Sequence, residues 1–290
     1  MASILILTQK INSLGNLQKV TRAMNMIASI RFRKLMARQK ALELFDGALG
    51  QVVDASLRPF RREKNRWVGG APGTGTVHAF MFTSDRGLCG SHNHAVFREL
   101  DRLAQRVRAD SMALEVSCWG GKGAVHARRR GYPIQQTRKA VPFLGPDPWV
   151  EQALARFAAG EIQSVVVIFN RFVSTIRQET VCQTVLPLGG LADGLGSDGP
   201  APRENSEPEP DPPEGFLEEA AGLALRYLIE SAQAHSSLSE QAARMMAMDN
   251  ASKNARELTD QAVKDRNRVR QAGITEELIE VISGKEAMKR

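Results

Sequence analysis

One segment of the sequence contains the residue types that a reactive site would need. It reads Thr83-Ser84-Asp85-Arg86-Gly87-Leu88-Cys89-Gly90. It lies between an apolar stretch typical of a buried strand and an amphipathic stretch typical of a helix, which is where phosphate-binding loops occur. Its spacing matches neither the lysine-bearing phosphate loop nor the three-glycine dinucleotide fingerprint. We therefore interpret it as a structural turn, with a nucleotide site as the weaker alternative.

Cys89 lies close in sequence to His92 and His94, so a cysteine nucleophile with a histidine base is a second hypothesis. The sequence identifies no third group that would orient the base, and a small packed cysteine is the commoner role. Side chains two residues apart on a helix point in different directions, so these histidines are poorly placed to share a metal ion. The sequence predicts no catalytic residue, no cofactor and no metal site.

Composition and charge exclude several classes of protein. The 290 residues include only three cysteines, which argues against a disulfide scaffold. No apolar run approaches the roughly 18 residues that a membrane-spanning helix needs. Residues 1–64 contain 12 Lys and Arg against 4 Asp and Glu, whereas residues 191–219 contain one Arg against 9 Asp and Glu. The basic cluster Arg31, Arg33, Lys34, Arg38 and Lys40 indicates either a solvated helix face or a surface for phosphates or an acidic partner.

The N-terminal part is predicted to be one long helix. No proline occurs between Ser3 and Leu57. An apolar stripe with coiled-coil spacing begins at Ile4 and is predicted to restart after a local stammer. A strict heptad would place polar Gln18 and Thr21 in the seam, so the restart is the preferred interpretation. The stripe consists of Ile4, Leu7, Ile11 and Leu14, followed by Leu17, Val20, Met24 and Ile27.

The C-terminal part is predicted to be a still longer helix. Good helix formers run from Phe216 to Ser283 with only Gly222 and Gly273 between them. Such a helix would be about 100 Å long. No small domain can surround it, so part of it must pack on another long helix or on partners. The N-terminal helix is the obvious mate, which predicts an antiparallel coiled coil.

The middle of the chain alternates strands and helices, which indicates a small α/β layer structure. Strands are predicted at 77–82, 114–119, 165–169 and 174–186, with helices at about 94–108 and 149–159. The predicted organisation is an N-terminal coiled-coil helix (1–58), a central α/β domain (75–190), an acidic proline-rich loop (191–214) and a C-terminal coiled-coil helix (215–290).

Several motifs identify a family. The segment 18–28 is similar to the N-terminal helix of the F-type ATP synthase gamma subunit, and 84–90 resembles that family's central signature. The segments 239–245, 248–255 and 267–284 resemble its C-terminal helix, and the last of these is the most specific. The resemblance runs from about residue 8 to residue 284. It implies a mixed α/β fold, in which an antiparallel coiled coil of the terminal helices carries a small Rossmann-like domain.

The resemblance also implies a function, which is written here as an expectation. The chain would be the non-catalytic central rotor shaft that couples ion flow through a membrane ring to ATP synthesis or hydrolysis on the beta subunits. Its partners would be the alpha and beta subunits, the epsilon subunit and the membrane c-ring, with no nucleic acid and no small-molecule substrate of its own. It would lie at the cytoplasmic side of a bacterial inner membrane. The residues expected to contact the beta subunits are Lys19, Arg22, Met24, Arg244, Arg270, Gln271 and Thr275.

Three features depart from the family pattern: the long acidic stretch 193–214, the apolar start at residues 2–7, and Gly273. They raise the hypothesis of a divergent, second-type rotary complex. The main alternative function is a basic coiled-coil protein that binds nucleic acid through residues 31–40, with a strong dependence on salt. An enzyme with a nucleotide fold is a third hypothesis, which lacks its fingerprint.

Overall fold

The computed structural model describes residues 2–57, 65–70, 75–140, 148–189 and 215–287. The predicted acidic loop 191–214 lies outside these residues. None of the described helices has the length and apolar content to cross a membrane. The elements in chain order are α1 (Ala2–Leu57), α2 (Arg66–Gly69), β1 (Thr76–Phe82), α3 (His92–Ala109), β2 (Ala113–Trp119), α4 (Gly121–Arg130), β3 (Ile134–Arg138), α5 (Pro148–Ala159), β4 (Ser164–Phe172), β5 (Gln178–Leu186) and α6 (Phe216–Ala287).

The chain divides into two compact units. The first contains Met1–Ser29 and Arg244–Arg290, and therefore one end of each long helix. The second contains Ile30–Ala243, with the sheet and the remaining parts of α1 and α6. The predicted fold class, long terminal helices with a small Rossmann-like α/β domain, is confirmed. The predicted domain boundaries follow the helices and strands, whereas the compact units divide both long helices.

In the first unit, the buried positions of both helices follow an uninterrupted heptad. On α1, Thr21 and Ala28 are buried seven residues apart, and on α6 Met248, Ala255 and Ala262 are buried at the same spacing. Such a repeat is the signature of two helices that pack along a shared seam. The residues of this seam, all buried or half-buried, are Ile4, Leu7, Ile11, Leu14, Gln18, Thr21, Asn25 and Ala28 on α1, and Met248, Ser252, Ala255, Thr259, Ala262, Arg266, Val269 and Gly273 on α6.

The predicted stammer is therefore wrong. Leu17, Val20 and Ile27 are 49%, 55% and 54% exposed, so the restarted stripe lies largely on the outer face of α1. The seam accepts polar residues because their hydroxyl groups bond to carbonyls of their own helix. The Thr21 hydroxyl donates to the Gln18 carbonyl oxygen at 3.0 Å, and the same pattern recurs on α6. No polar partner across the seam is needed.

The second unit is built on a five-stranded sheet with the order β3-β2-β1-β4-β5. The first four strands are parallel and β5 is antiparallel to β4. Helices α3 and α4 cover one face of the sheet around Val96, Leu100 and Ala127. Helix α5 and the start of α6 cover the other face around Phe157, Ala221 and Leu225. The central strands are buried on both sides, as their apolar runs predict.

Two elements of this domain, α4 and β3, are absent from the sequence-based prediction. Helix α4 begins with Gly121-Lys122-Gly123, which has the composition of a turn. The glycines are needed because α4 comes very close to the loop after β1. A Cβ at Gly120, whose φ is +97°, would lie 2.2 Å from the Thr83 carbonyl oxygen, and one at Gly123 would lie 2.7 Å from the Thr83 hydroxyl. Strand β3 is a short, polar edge strand and so lacks the apolar signal of the others.

A buried polar cluster lies between β1, β2 and α5. The Glu115 carboxylate, 5% exposed as a residue, accepts hydrogen bonds from His78 Nδ1 at 2.5 Å and from Gln135 Nε2 at 2.6 Å. Arg156 binds the same carboxylate through both terminal nitrogens. Burial by itself would raise the pKa of Glu115, but the hydrogen bonds from His78 and Arg156 outweigh it and lower that pKa to about 2. The ionised carboxylate is therefore the stabilised form.

The first prediction concerns this cluster. The change Glu115→Gln should lower the free energy of unfolding at pH 7 by about 3 kcal/mol, because it leaves buried donors without their charged acceptor. The stabilisation requires an ionised carboxylate, so it is present above the unfolded-state pKa and is lost as pH falls toward 2. Urea unfolding of both proteins between pH 7 and pH 2 measures the difference.

The matched control is Glu161→Gln, which removes the second, exposed partner of Arg156. That side chain is 59% exposed, so we expect a change within about 0.5 kcal/mol. Equal effects of the two substitutions would contradict the assignment of Glu115 as the centre of the cluster.

The second prediction tests the heptad seam with two neighbouring residues. Ala28 is 1% exposed, so Ala28→Leu should overpack the seam and destabilise the chain by about 1–3 kcal/mol. Ile27→Gln, on the outer face, should change the free energy of unfolding of the isolated chain by no more than about 0.5 kcal/mol. Urea unfolding of the full chain measures both effects. A larger destabilisation by Ile27→Gln than by Ala28→Leu would contradict the heptad seam and support the stammered stripe.

Candidate functional site

The loop after β1 is held by its own side chains. Asn93, on α3, accepts a hydrogen bond from the Ser84 backbone N–H at 2.9 Å and donates to the Ser84 hydroxyl at 2.7 Å. The Asp85 carboxylate accepts backbone N–H groups of Gly121 at 2.9 Å and Ala140 at 3.0 Å. The Ser84 amide and hydroxyl groups and the Asp85 carboxylate are thus already bonded within the chain.

The adjacent end of β4 is also closed. Asn170 is 2% exposed, and its amide donates to the His92 carbonyl oxygen at 2.8 Å and contacts His92 Nδ1 at 3.0 Å. The Thr180 hydroxyl donates to the Asn170 side-chain oxygen at 2.8 Å. In doubly wound sheets, ligands bind in the crevice outside the carboxyl ends of the strands, where the strand order reverses. Here, between β1 and β4, buried side chains fill that place.

The structure also bears on the hypotheses of a cysteine nucleophile and of a metal site near Cys89. Cys89 is 2% exposed and lies 3.6 Å from the Ser84 hydroxyl, whereas His92 is buried against Asn170 and His94 is exposed. Within the described ranges, no cluster of three or more His, Cys, Asp or Glu side chains has a geometry that could hold a metal ion. The loop 83–90 therefore joins elements of the domain.

The first unit offers a different surface, a groove between α1 and α6 with a volume of about 400 Å³. Three cationic side chains line it, namely Arg22, Lys253 and Arg256. Lys253 pairs with Asp249 at 2.7 Å. Arg22 and Arg256 form no ion pair with any residue that the structure describes. The remaining lining residues are Asp249 itself and Gln18, Asn25, Met26 and Ser252. The groove can accept an acidic group from outside the chain.

The seven residues expected to contact beta subunits do not share one environment. Lys19 and Arg22 are exposed on α1, and Met24 is half-buried. Arg270, Gln271 and Thr275 are exposed on α6, where the Thr275 hydroxyl donates to the Gln271 carbonyl oxygen at 3.0 Å. Arg244 differs from them because it is only 8% exposed and interacts within the chain. Lys253 and Arg256 also line the groove, and the sequence analysis did not include them among the expected contacts.

The end of α6 exposes a group of apolar side chains. Every residue from 274 to 285 is exposed, in contrast to the seam residues before them. Large apolar side chains among these residues are 50–69% exposed; they are Ile274, Leu278, Ile279, Val281 and Ile282. An apolar cluster of this kind on one helix marks a surface that a partner covers.

Comparison with known proteins covers nearly the whole chain. A family model described as ATP synthase matches residues 3–288. The gamma chain of the Rhodospirillum rubrum ATP synthase is 33% identical over 305 residues, which include 99% of this chain and 100% of that relative. The chain belongs to the ATP synthase gamma-chain family. The Clostridium acetobutylicum gamma chain is 31% identical over 299 residues, with 99% of each chain covered.

Solved structures agree on the fold of this gamma-family chain. A chain of the Euglena gracilis mitochondrial ATP synthase, from a cryo-EM structure of OSCP, F1 and the c-ring, superposes with a TM-score of 0.66 and 17% identity. It covers 99% of this chain and 95% of its own length. A central-stalk chain of the Tetrahymena thermophila mitochondrial enzyme gives a TM-score of 0.56 with 24% identity, covering 80% of this chain and 99% of its own length. The alternative of a nucleic-acid-binding protein finds no support in these comparisons.

The third prediction follows from the closed crevice. The full chain should neither hydrolyse ATP nor bind it tightly, because Ser84, Asp85 and Asn170 are bonded within the chain and the loop lacks the phosphate-loop spacing. Isothermal titration with Mg-ATP should give no saturable heat at micromolar concentrations. Specific micromolar binding to the purified chain would show that the crevice opens and would contradict this interpretation.

Proposed function

We propose that the chain is the central rotor shaft of an F-type ATP synthase, which couples ion flow through the membrane ring to ATP synthesis or hydrolysis on the beta subunits. The observation that carries the proposal is the match to ATP synthase gamma chains from one end of the sequence to the other. Its partners are the alpha and beta subunits, the epsilon subunit and the c-ring. It is a non-catalytic subunit at the cytoplasmic side of a bacterial inner membrane.

The seam of the first unit suits a shaft. Small residues at its centre, among them Ala28, Ala255 and Ala262, allow the two helix backbones to approach closely. The Thr21 and Thr259 hydroxyl groups of the seam are bonded within their own helices, so neither bond crosses from one helix to the other. A closely packed pair resists torsion better than one helix would.

The outer surface of the same unit suits a surrounding ring. The groove with Arg22, Lys253 and Arg256 offers cations to acidic side chains, and Lys19 lies beside it in sequence. The exposed residues Leu17, Val20 and Ile27 form an apolar stripe on the same helix. We assign this stripe and groove to contact with the ring, together with Met24.

The exposed end of α6 supplies the second contact. Arg270 and Gln271 are exposed, long hydrogen-bond donors. Their neighbours Ala272 and Gly273 are small, so the two long side chains project beyond the surrounding helix surface. A donor that meets a carboxylate or carbonyl group only at certain angles gives the rotor a periodic energy profile. A hydrogen bond to a charged partner contributes about 1.5–3 kcal/mol, which selects an angle but yields to one ATP-driven step. Thr275 lies one turn further along, and Arg244 is the one expected contact that this chain itself buries.

The fourth prediction tests the angle-selecting contact. Replacing Arg270 and Gln271 together by Leu should preserve the helix while it removes the donors. We expect the complex to assemble but to show impaired ATP synthesis and impaired ATP-driven pumping. Ion pumping per ATP hydrolysed in reconstituted vesicles, measured beside hydrolysis alone, is the readout.

The matched control is Lys264→Leu, which removes an exposed cation of the same helix that is not among the expected contacts. It should leave the pumping ratio unchanged. Wild-type synthesis and pumping by a fully assembled Arg270/Gln271 variant would show that these side chains are passive surface.

A further inference from the structure

The carboxyl end of β4 is contacted by both long helices. Within the second unit, the Ser239 hydroxyl on α6 donates to the Asn170 backbone oxygen at 3.0 Å. Two residues further along the strand, the Phe172 backbone N–H donates to His235 Nδ1 at 3.4 Å, one turn before Ser239 on the same helix. Ser239 is fully buried and His235 is 8% exposed, so the Ser239 bond is buried and the Phe172 bond is partly buried.

Helix α1 reaches the same place. The Gln39 side-chain amide lies 2.9 Å from His235 Nε2, and Gln39 is 1% exposed. The Phe32 ring meets the Phe172 ring edge to face, with centroids 5.6 Å apart. One strand end therefore bears two contacts from α6 and one from α1, and His235 joins the two helices.

The hydrogen-bond roles of His235 follow from its neighbours. A backbone N–H can only donate, so Nδ1 accepts from Phe172 and the ring proton lies on Nε2 in the neutral imidazole. Nε2–H then faces the Gln39 amide and needs an acceptor there. The Gln39 side-chain oxygen is buried and has no partner among the residues that the structure describes. Exchanging the amide oxygen and nitrogen of Gln39 gives His235 Nε2–H its acceptor, and such assignments rest on the hydrogen-bond network.

Asn170 connects this strand end to the rest of the domain. The same residue whose backbone oxygen binds Ser239 uses its side chain to bind His92 at the start of α3 and Thr180 on β5. The place where a doubly wound domain would bind a ligand is thus occupied by bonds between elements of the chain.

We propose that the carboxyl end of β4 is the mount that fixes both long helices on the α/β domain, with Asn170, His235 and Gln39 as its positioning residues. The expected effect of this contact on coupling rests on the proposed rotor function. Torque that passes between the helices and the domain crosses this contact together with the core packing of α6 from 216 to 232, so loosening the contact lets the helices slip while ATP hydrolysis continues.

The contact itself is tested on the full chain, independently of rotation. In His235→Leu the Phe172 amide loses its acceptor, so its hydrogen exchange should become about tenfold faster. Ser236→Ala, a buried serine of α6 without a bond to β4 among the described residues, should leave that exchange rate unchanged. Unchanged exchange in His235→Leu would overturn the proposed mount.

The role in coupling is tested in the assembled complex. The pair His235→Leu and Ser239→Ala should lower ion pumping per ATP hydrolysed by half or more, and Ser236→Ala should not. Exchanging the partners, Gln39→His with His235→Gln, should restore pumping that Gln39→Leu alone loses. Normal pumping by the double variant with a faster-exchanging Phe172 amide would overturn the proposal. A wild-type complex that fails to couple would instead refute the rotor function, and the exchange result would still stand.

Discussion

A helix of 72 residues cannot be covered by one core, and the rest of this structure depends on that constraint. From 216 to 232, α6 is buried against the sheet and α5. Around 235–239 it bonds to the end of β4. In the first unit, its residues from 244 to 273 bury only a narrow heptad seam, and from 274 to 285 every residue is exposed. The partners of this helix are in turn a domain, a strand end, another helix and a surface supplied from outside.

The closed crevice and the mount are two aspects of one arrangement. A Rossmann-like domain leaves backbone and side-chain polar groups at the carboxyl ends of its strands, and enzymes of this class use them for ligands. In this chain Asn170, Asn93 and Asp85 consume those groups in bonds between elements. The fold is retained, but the crevice that usually binds a ligand is here occupied by hydrogen bonds between strands, loops and helices of the domain. Function cannot be read from fold class here, because the decisive bonds are made by a few side chains at one edge of the sheet.

Much of the architecture was predictable from the sequence, because long proline-free stretches and buried strands give strong periodic signals. The phase of the seam was not predictable. The apolar residues Leu17, Val20 and Ile27 follow a coiled-coil spacing but are exposed, whereas the polar Thr21 is buried in the seam. The signal that could have found it is the seven-residue repeat of apolar residues at Met248, Ala255 and Ala262. Helix α4 was missed because glycines that allow close packing look like turn residues, and strand β3 was missed because it is short and polar. The contacts of Gln39 and Asn170 join elements far apart in sequence, which local patterns do not reveal.

The exposed end of α6 has a consequence for how the protein is made. Ile274, Leu278, Ile279, Val281 and Ile282 are 50–69% exposed. An unassembled copy therefore presents an apolar surface to every other copy. The cell must therefore keep synthesis of the chain in step with that of its partners, or remove the surplus by proteolysis. A gene dosage above that of the ring subunits is expected to give inclusion bodies, and co-expression with them should restore solubility.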